Sequence, residues 1–180
     1  MNNIKNSKEN YGIIAIFLHW LMAILIICMI ILGIYMNNIE NSPEKFKLYG
    51  LHKSFGTLIL GLVILRLSWK LINIAPELPL NMKSWEKIAA KLGHLTLYFF
   101  MFAIPLSGWL MSSAAGFSVS FFGLFTLPNL IHPNNELRKF FGEVHEIMAF
   151  ALIGVVIIHL IAALHHHFFK KDNVLTRMLP

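Results

Sequence analysis

The stretch F-G-E-V-H-E-I-M-A-F-A-L-I-G-V-V-I-I-H-L-I-A-A-L-H-H-H-F-F, Phe141 to Phe169, decides how this chain folds. A helix crossing the hydrocarbon core of a bilayer needs about 20 largely apolar residues at roughly 1.5 Å each. This segment exceeds that length, which leaves it room to tilt or to extend beyond the lipid. Within it, His145 and His159 stand fourteen residues apart. At about 100° per residue that spacing returns to within about 40° of the same face, after a rise of about 21 Å. One face of the helix therefore carries an imidazole near each membrane surface. Polar groups at membrane depth are costly, so such residues usually face the bundle interior and serve a function.

Three further apolar runs flank this one: Gly12 to Met36, Gly50 to Ile72, and Leu92 to Ala114. The first has no charged residue and no small-x-small cleavage site after it, so it reads as a retained helix rather than a signal peptide. In the second, Lys53 and Arg66 sit near the ends, where long side chains snorkel. Pro105 in the third is tolerated as a kink. Of the 180 residues, 57% are hydrophobic and 13% charged, about half the charged share of a soluble domain. A soluble fold of this length could not hide that much apolar surface. The expected architecture is all-α: an integral membrane four-helix bundle, one domain over residues 1–180, with spans of about 12–36, 50–72, 92–114 and 141–169.

The charges orient the bundle. With four spans, both termini and the connection between the second and third helices share one side. That side carries Lys5, Lys8, Arg66, Lys70, Lys83, Lys87, Lys91, Lys170, Lys171 and Arg177; the other carries Lys45, Lys47, Lys53, Arg138 and Lys139. Ten against five places both termini in the cytoplasm. The formal net charge of +6 thus reads as membrane orientation and not as nucleic-acid binding. Pro76 and Pro79 mark a cytoplasmic turn. The long connection Ala115 to Phe140, with Phe117, Phe121, Phe122 and Phe125, reads as an interfacial segment resting on the bundle end. Cys28 is the only cysteine, which rules out an intrachain disulfide; it reads as a small buried residue. The chain has no phosphate-binding glycine loop, Walker motif or G-x-S-x-G.

The nine histidines carry the chemistry. The antiparallel topology sets His19, early in the first helix, level with His159, late in the fourth, on the cytoplasmic side. It sets His52, early in the second helix, level with His145 on the outer side. Two facing imidazole pairs, one per leaflet, are what six-coordinate haem iron requires, and a bundle core is a usual place for it. Trp20, Phe55, Gly56, Gly142 and Gly154 would suit a flat macrocycle. The plainer reading is that the histidines hydrogen-bond between helices. Zinc or copper would want three or four clustered ligands, usually including carboxylate or thiolate. A proton relay lacks mid-membrane Asp or Glu; Glu143 and Glu146 lie near the outer end and read as solvated. His94 is a third imidazole on the cytoplasmic side, able to bridge helices, replace a ligand or bind a quinone. His165, His166 and His167 lead into the basic tail, and His166, two turns beyond His159, is the one that reaches toward the cytoplasmic site. His132 reads as a loop residue.

The ordered motifs resemble those of the bacterial cytochrome b561 family. They are I-F-L-H-W at Ile16 to Trp20, L-H-K-S-F-G at Leu51 to Gly56, and L-G-H-L-T-L-Y at Leu92 to Tyr98. P-L-S-G-W at Pro105 to Trp109, F-F-G-L-F-T-L-P at Phe121 to Pro128 and V-H-E at Val144 to Glu146 follow, and H-H-F-F-K-K-D-N-V-L-T-R-M-L-P closes the chain. The resemblance implies a bacterial inner-membrane protein binding two haem b groups, with His19 and His159 on one iron and His52 and His145 on the other. It implies electron transfer to or from a quinone, and a superoxide oxidase activity in which superoxide yields dioxygen at the outer face and ubiquinone is reduced. Lys53, Arg138 and Lys139 would suit an anionic substrate electrostatically. The rival readings are a cytochrome b subunit docking on a hydrogenase or formate dehydrogenase, with no reaction of its own, and a non-haem membrane transporter or assembly factor.

Overall fold

Four long helices run up and down in sequence order, each long and apolar enough to cross a membrane. In the computed structural model, residues 4–79 and 82–179 are described; Pro180, the last residue of the closing motif, lies outside them. The helices are α1 (Ile13–Asn38), α2 (Pro43–Ile72), α3 (Ser84–Ala114) and α4 (Asn135–His165). The chain is thus an all-α, four-helix integral membrane protein. A π-type turn (His166–Lys170) and a short 3₁₀ turn (Thr176–Met178) follow α4.

Polar caps start α2 and α4 outside their apolar runs. The Ser42 hydroxyl accepts from the Lys45 N–H at 3.2 Å, and Pro43 occupies the first turn of α2, where its missing N–H costs nothing. The Asn134 side-chain oxygen accepts from the Glu136 and Leu137 N–H groups at 2.9 and 3.0 Å, which opens α4 well before its lipid-length segment. Gly116, at φ 79°, ends α3: the Phe117 N–H reaches back to Ser112 O at 2.9 Å in a left-handed C-terminal cap that a side chain would strain.

The connection after α3 contains an element that its composition does not announce, an antiparallel hairpin of β1 (Val119–Phe121) and β2 (Phe125–Leu127). Its turn places Phe122 at φ 50° and Gly123 at φ 76°, a conformation usually written with Asn-Gly. Ser54 of α2 fastens the hairpin to the bundle. Its hydroxyl donates to Ser120 O at 2.9 Å and accepts from the Phe122 N–H at 3.2 Å. Phe55 of α2 meets Phe122 edge-on, ring centres 5.0 Å apart.

The packed core is small and one-sided. Met22 of α1, Ile59 and Val63 of α2, and Met101 of α3 are buried together, with Leu25, Ile26, Met29, Leu60, Leu97, Tyr98 and Phe102 around them. No α4 residue belongs to this cluster, and Leu152 is the one buried residue of α4. The close backbone approaches of α4 go to α3, while α1 packs chiefly on α2. The outward faces, with Ile24, Ile31, Ile157, Ile158 and Ile161 exposed, suit lipid. Cys28 corrects an expectation: it is exposed on α1, not buried. The α1 run is apolar all round, so its pattern does not say which residues face inward.

One end of the bundle gathers the N-terminal segment, the α2–α3 connection and the C-terminal tail. The Glu77 N–H donates to Lys8 O (2.8 Å), the Asn6 amide to Ile74 O (2.9 Å), and the Arg177 guanidinium to Glu77 O (2.5 Å).

Candidate functional site

Near the opposite end of the bundle, α2 and α4 bring His52 and His145 together with ring centres 6.1 Å apart. His145 is held from behind by α3. Its Nδ1 lies 3.0 Å from Ile104 O and 3.1 Å from the Ser107 hydroxyl, which itself donates to Ile104 O at 2.8 Å. A carbonyl only accepts, so the proton belongs on Nδ1 and the Nε2 lone pair is left free, the tautomer a metal needs. Gly108 makes this seat: a Cβ there would lie 3.2 Å from Cε1 and 3.3 Å from Nδ1 of the ring. His52 has a buried Nδ1 with no hydrogen-bond partner, a cost that a ligand or a rearranged partner would remove. Beside this pair, Lys53 Nζ donates to the Ser112 hydroxyl at 3.2 Å and lies 5.8 Å over the Phe117 ring. Arg138 and Lys139 are exposed, as are Glu143 and Glu146.

At the end where the termini meet, all four helices contribute to one cluster. His19 of α1 and His159 of α4 have ring centres 6.3 Å apart, and His94 of α3 lies 5.7 Å from His159. Arg66 of α2 donates to His19 Nδ1 at 2.8 Å. Trp20 sits edge-on to His19 at 5.3 Å and donates from Nε1 to Met178 O at 2.5 Å, so the tail is tied beside this ring. Just before α1, the Tyr11 phenol is pushed up by burial, against the opposing pull of the Arg177 and Arg66 guanidiniums. His166 is engaged elsewhere, its Nδ1 2.5 Å from the Asp172 carboxylate. Its neighbours meet phenylalanines, His165 stacked on Phe169 and His167 edge-on to Phe168.

The arrangement can be tested against a bis-imidazole iron. A metal–imidazole bond is about 2 Å long, and the bonding nitrogen lies about 1 Å from its ring centre. Two imidazoles on one iron therefore have ring centres about 6 Å apart. The separations of 6.1 and 6.3 Å meet this, and the His94–His159 separation comes close to it. α4 takes no part in the packed core of α1, α2 and α3, and the ring pairs His19–His159 and His52–His145 are among the places where it meets α1 and α2. Gly154 of α4 has open space where a side chain would project, whereas Gly142 packs on Met111.

Sequence reasoning identified the imidazoles but not their supports. Ser107 and Gly108 lie inside the P-L-S-G-W motif, so the residues were visible although their task was not. Arg66, read as a snorkelling end charge, turns inward to a histidine.

Comparison with known proteins adds the following. The model of the family described as prokaryotic cytochrome b561 matches residues 10–180. The chain is 35% identical over 175 residues to cytochrome b561 homolog 2 of Escherichia coli K12, covering 97% of this chain and 93% of that protein. It is 31% identical over 169 residues to cytochrome b561 homolog 1 of the same organism, covering 92% and 94%. It is 29% identical over 177 residues to a Yersinia pestis protein named "Probable superoxide oxidase CybB", covering 96% and 97%.

Proposed function

This chain belongs to the prokaryotic cytochrome b561 family, a haem-binding, multi-pass membrane cytochrome of electron transport, and from that premise we propose how it works. It holds two haem b groups, one between His52 and His145 and one between His19 and His159. It forms one domain of the bacterial inner membrane with both termini in the cytoplasm, which makes the His52–His145 site the outer one. It carries electrons between the outer face and a quinone. The observation that carries this reading is the pair of imidazole separations, 6.1 and 6.3 Å, at the two ends of the same helix.

When bound, the group supplies one-electron iron chemistry; the chain supplies seats, orientation and charge. Ile104 O and Ser107 fix the His145 tautomer and aim Nε2 away from α3. Gly108 lets the ring lie against the helix without strain. At the outer end, Lys53, Arg138 and Lys139 attract an anion. Superoxide fits that field, and the relative named for superoxide oxidation supports this substrate. Two superoxide anions would leave as two dioxygen molecules while one ubiquinone takes up two electrons and two protons. At the cytoplasmic end His94, exposed on α3 yet next to His159, is suited to donate to a quinone carbonyl. His166 is the less suited of the two, since its Nδ1 is already bonded to Asp172. Unchanged quinone reduction in both His94→Phe and His166→Phe would remove that assignment.

The central test is a dithionite-reduced minus oxidised visible spectrum, with haem quantified per chain, for wild type and His145→Ala. Two haems falling to about one, with loss of a low-spin b-type signal, is the expected result. Unchanged haem in His145→Ala would refute the outer pairing.

A further inference from the structure

We infer that Arg66 binds a propionate carboxylate of the haem held between His19 and His159, an assignment that rests on the pairing proposed above. A guanidinium only donates, so its 2.8 Å bond to His19 Nδ1 requires a lone pair there and leaves the single proton of the neutral ring on Nε2. Ligation through Nε2 demands the opposite tautomer, with the proton on Nδ1. Once His19 ligates, Arg66 loses the partner it has, because two N–H donors cannot face each other.

The released guanidinium has no carboxylate to turn to. Among the described residues the ion pairs are His166–Asp172 and Lys170–Glu86, neither of which includes Arg66. Its other neighbours are phenols, Tyr98 with its ring 5.8 Å away and Tyr11 just before α1, neither of them a carboxylate, and the Lys70 ammonium on the Tyr98 ring at 4.8 Å adds a second positive charge. A partly buried cation at membrane depth with no counter-charge is costly. Haem b brings two carboxylates with it, and an arginine fork matches a carboxylate in both charge and geometry. Arg66 would then do two things in sequence: hold His19 in place before the haem arrives, and neutralise the haem's own charge afterwards.

The test uses holoprotein from cells supplied with 5-aminolevulinate carrying ¹³C at its carboxyl carbon, which labels the propionate carboxylates. Redox-difference infrared spectra and potentiometric titrations are recorded for wild type, Arg66→Gln and Arg66→Lys. In Arg66→Gln the labelled carboxylate band is expected to shift. At a fixed ambient potential the cytoplasmic haem becomes about tenfold more oxidised, about 59 mV for a one-electron couple, while the outer haem titrates as in wild type. Arg66→Lys keeps the potential but moves the band, because a point charge replaces the fork; it carries the test if the glutamine variant folds poorly. An unshifted band in both variants overturns the assignment, even with an altered potential, since Arg66 would then act as a bare charge or on another anion. His19→Ala separates the two failures. Both haems retained in His19→Ala would sink the pairing, whereas loss of one haem there with unmoved bands in the Arg66 variants would sink this inference alone.

Discussion

Gly108→Ala offers a severe test of the outer site, because two physical effects predict opposite signs. A glycine inside a helix costs about 0.5–1 kcal/mol relative to alanine, so α3 by itself should gain by that amount. The new Cβ, however, would lie 3.2 Å from His145 Cε1 and 3.3 Å from Nδ1, inside the contact distance of about 3.5–4.0 Å. The ring must retreat by a few tenths of an ångström. It cannot do so freely, since Ile104 O and Ser107 hold Nδ1 at 3.0 and 3.1 Å from the same helix. A weakened hydrogen bond and an off-rotamer ring each cost about 0.5–1.5 kcal/mol, so the outer haem should bind roughly tenfold or more weakly. Gly61→Ala is the control, because nothing lies within 4 Å of a Cβ there; it should show the helix gain alone. The assay is haem per purified chain together with thermal unfolding followed by both haem absorbance and helical signal. Gly108→Ala should lose haem from the outer site first on heating, with the cytoplasmic signal unchanged. A Gly108→Ala protein that keeps two haems and gains thermal stability as Gly61→Ala does would refute the reasoning that Gly108 is the seat of His145.

Two further outcomes follow from the fold. Ser54→Ala removes the hydroxyl that ties the β1–β2 hairpin to α2 and should cost about 1–3 kcal/mol; hydrogen exchange should rise at Phe122 but not in α4, and equal rise in both would argue against a local fastening. Tyr11 has its phenol pushed above its ordinary value of 10.0, by burial first. Its contribution is therefore present below pH 10.0 and lost as the pH rises through the folded-state value. Tyr11→Phe should be less sensitive to alkaline unfolding, and an unchanged alkaline midpoint would show that the phenol is not linked to folding.

Four long apolar runs and their order were legible in the chain itself, because lipid allows a spanning segment few ways to satisfy its backbone and the helix is the local one. The spacing of His145 and His159 was legible for the same reason: helical periodicity is local and needs no partner. What surrounds those histidines was not. Ser107, Gly108 and Ile104 serve a ring on another helix, and no spacing within α3 reveals a contact made across the bundle. The turn at Phe122–Gly123 is similar, since a phenylalanine at φ 50° is held there by the Ser54 bond and aromatic contacts with α2, not by its own preference. The exposure of Cys28 was equally hidden, because the uniformly apolar α1 leaves its rotation about its own axis undetermined by pattern, and so was the inward turn of Arg66, because its partner His19 lies on another helix. The sequence by itself determined how many helices cross the membrane, which side chains are unusual at that depth, and the family. Tertiary structure alone decided which groups back the ligands and where α4 stands away from the core, because those depend on distances between segments far apart in the chain.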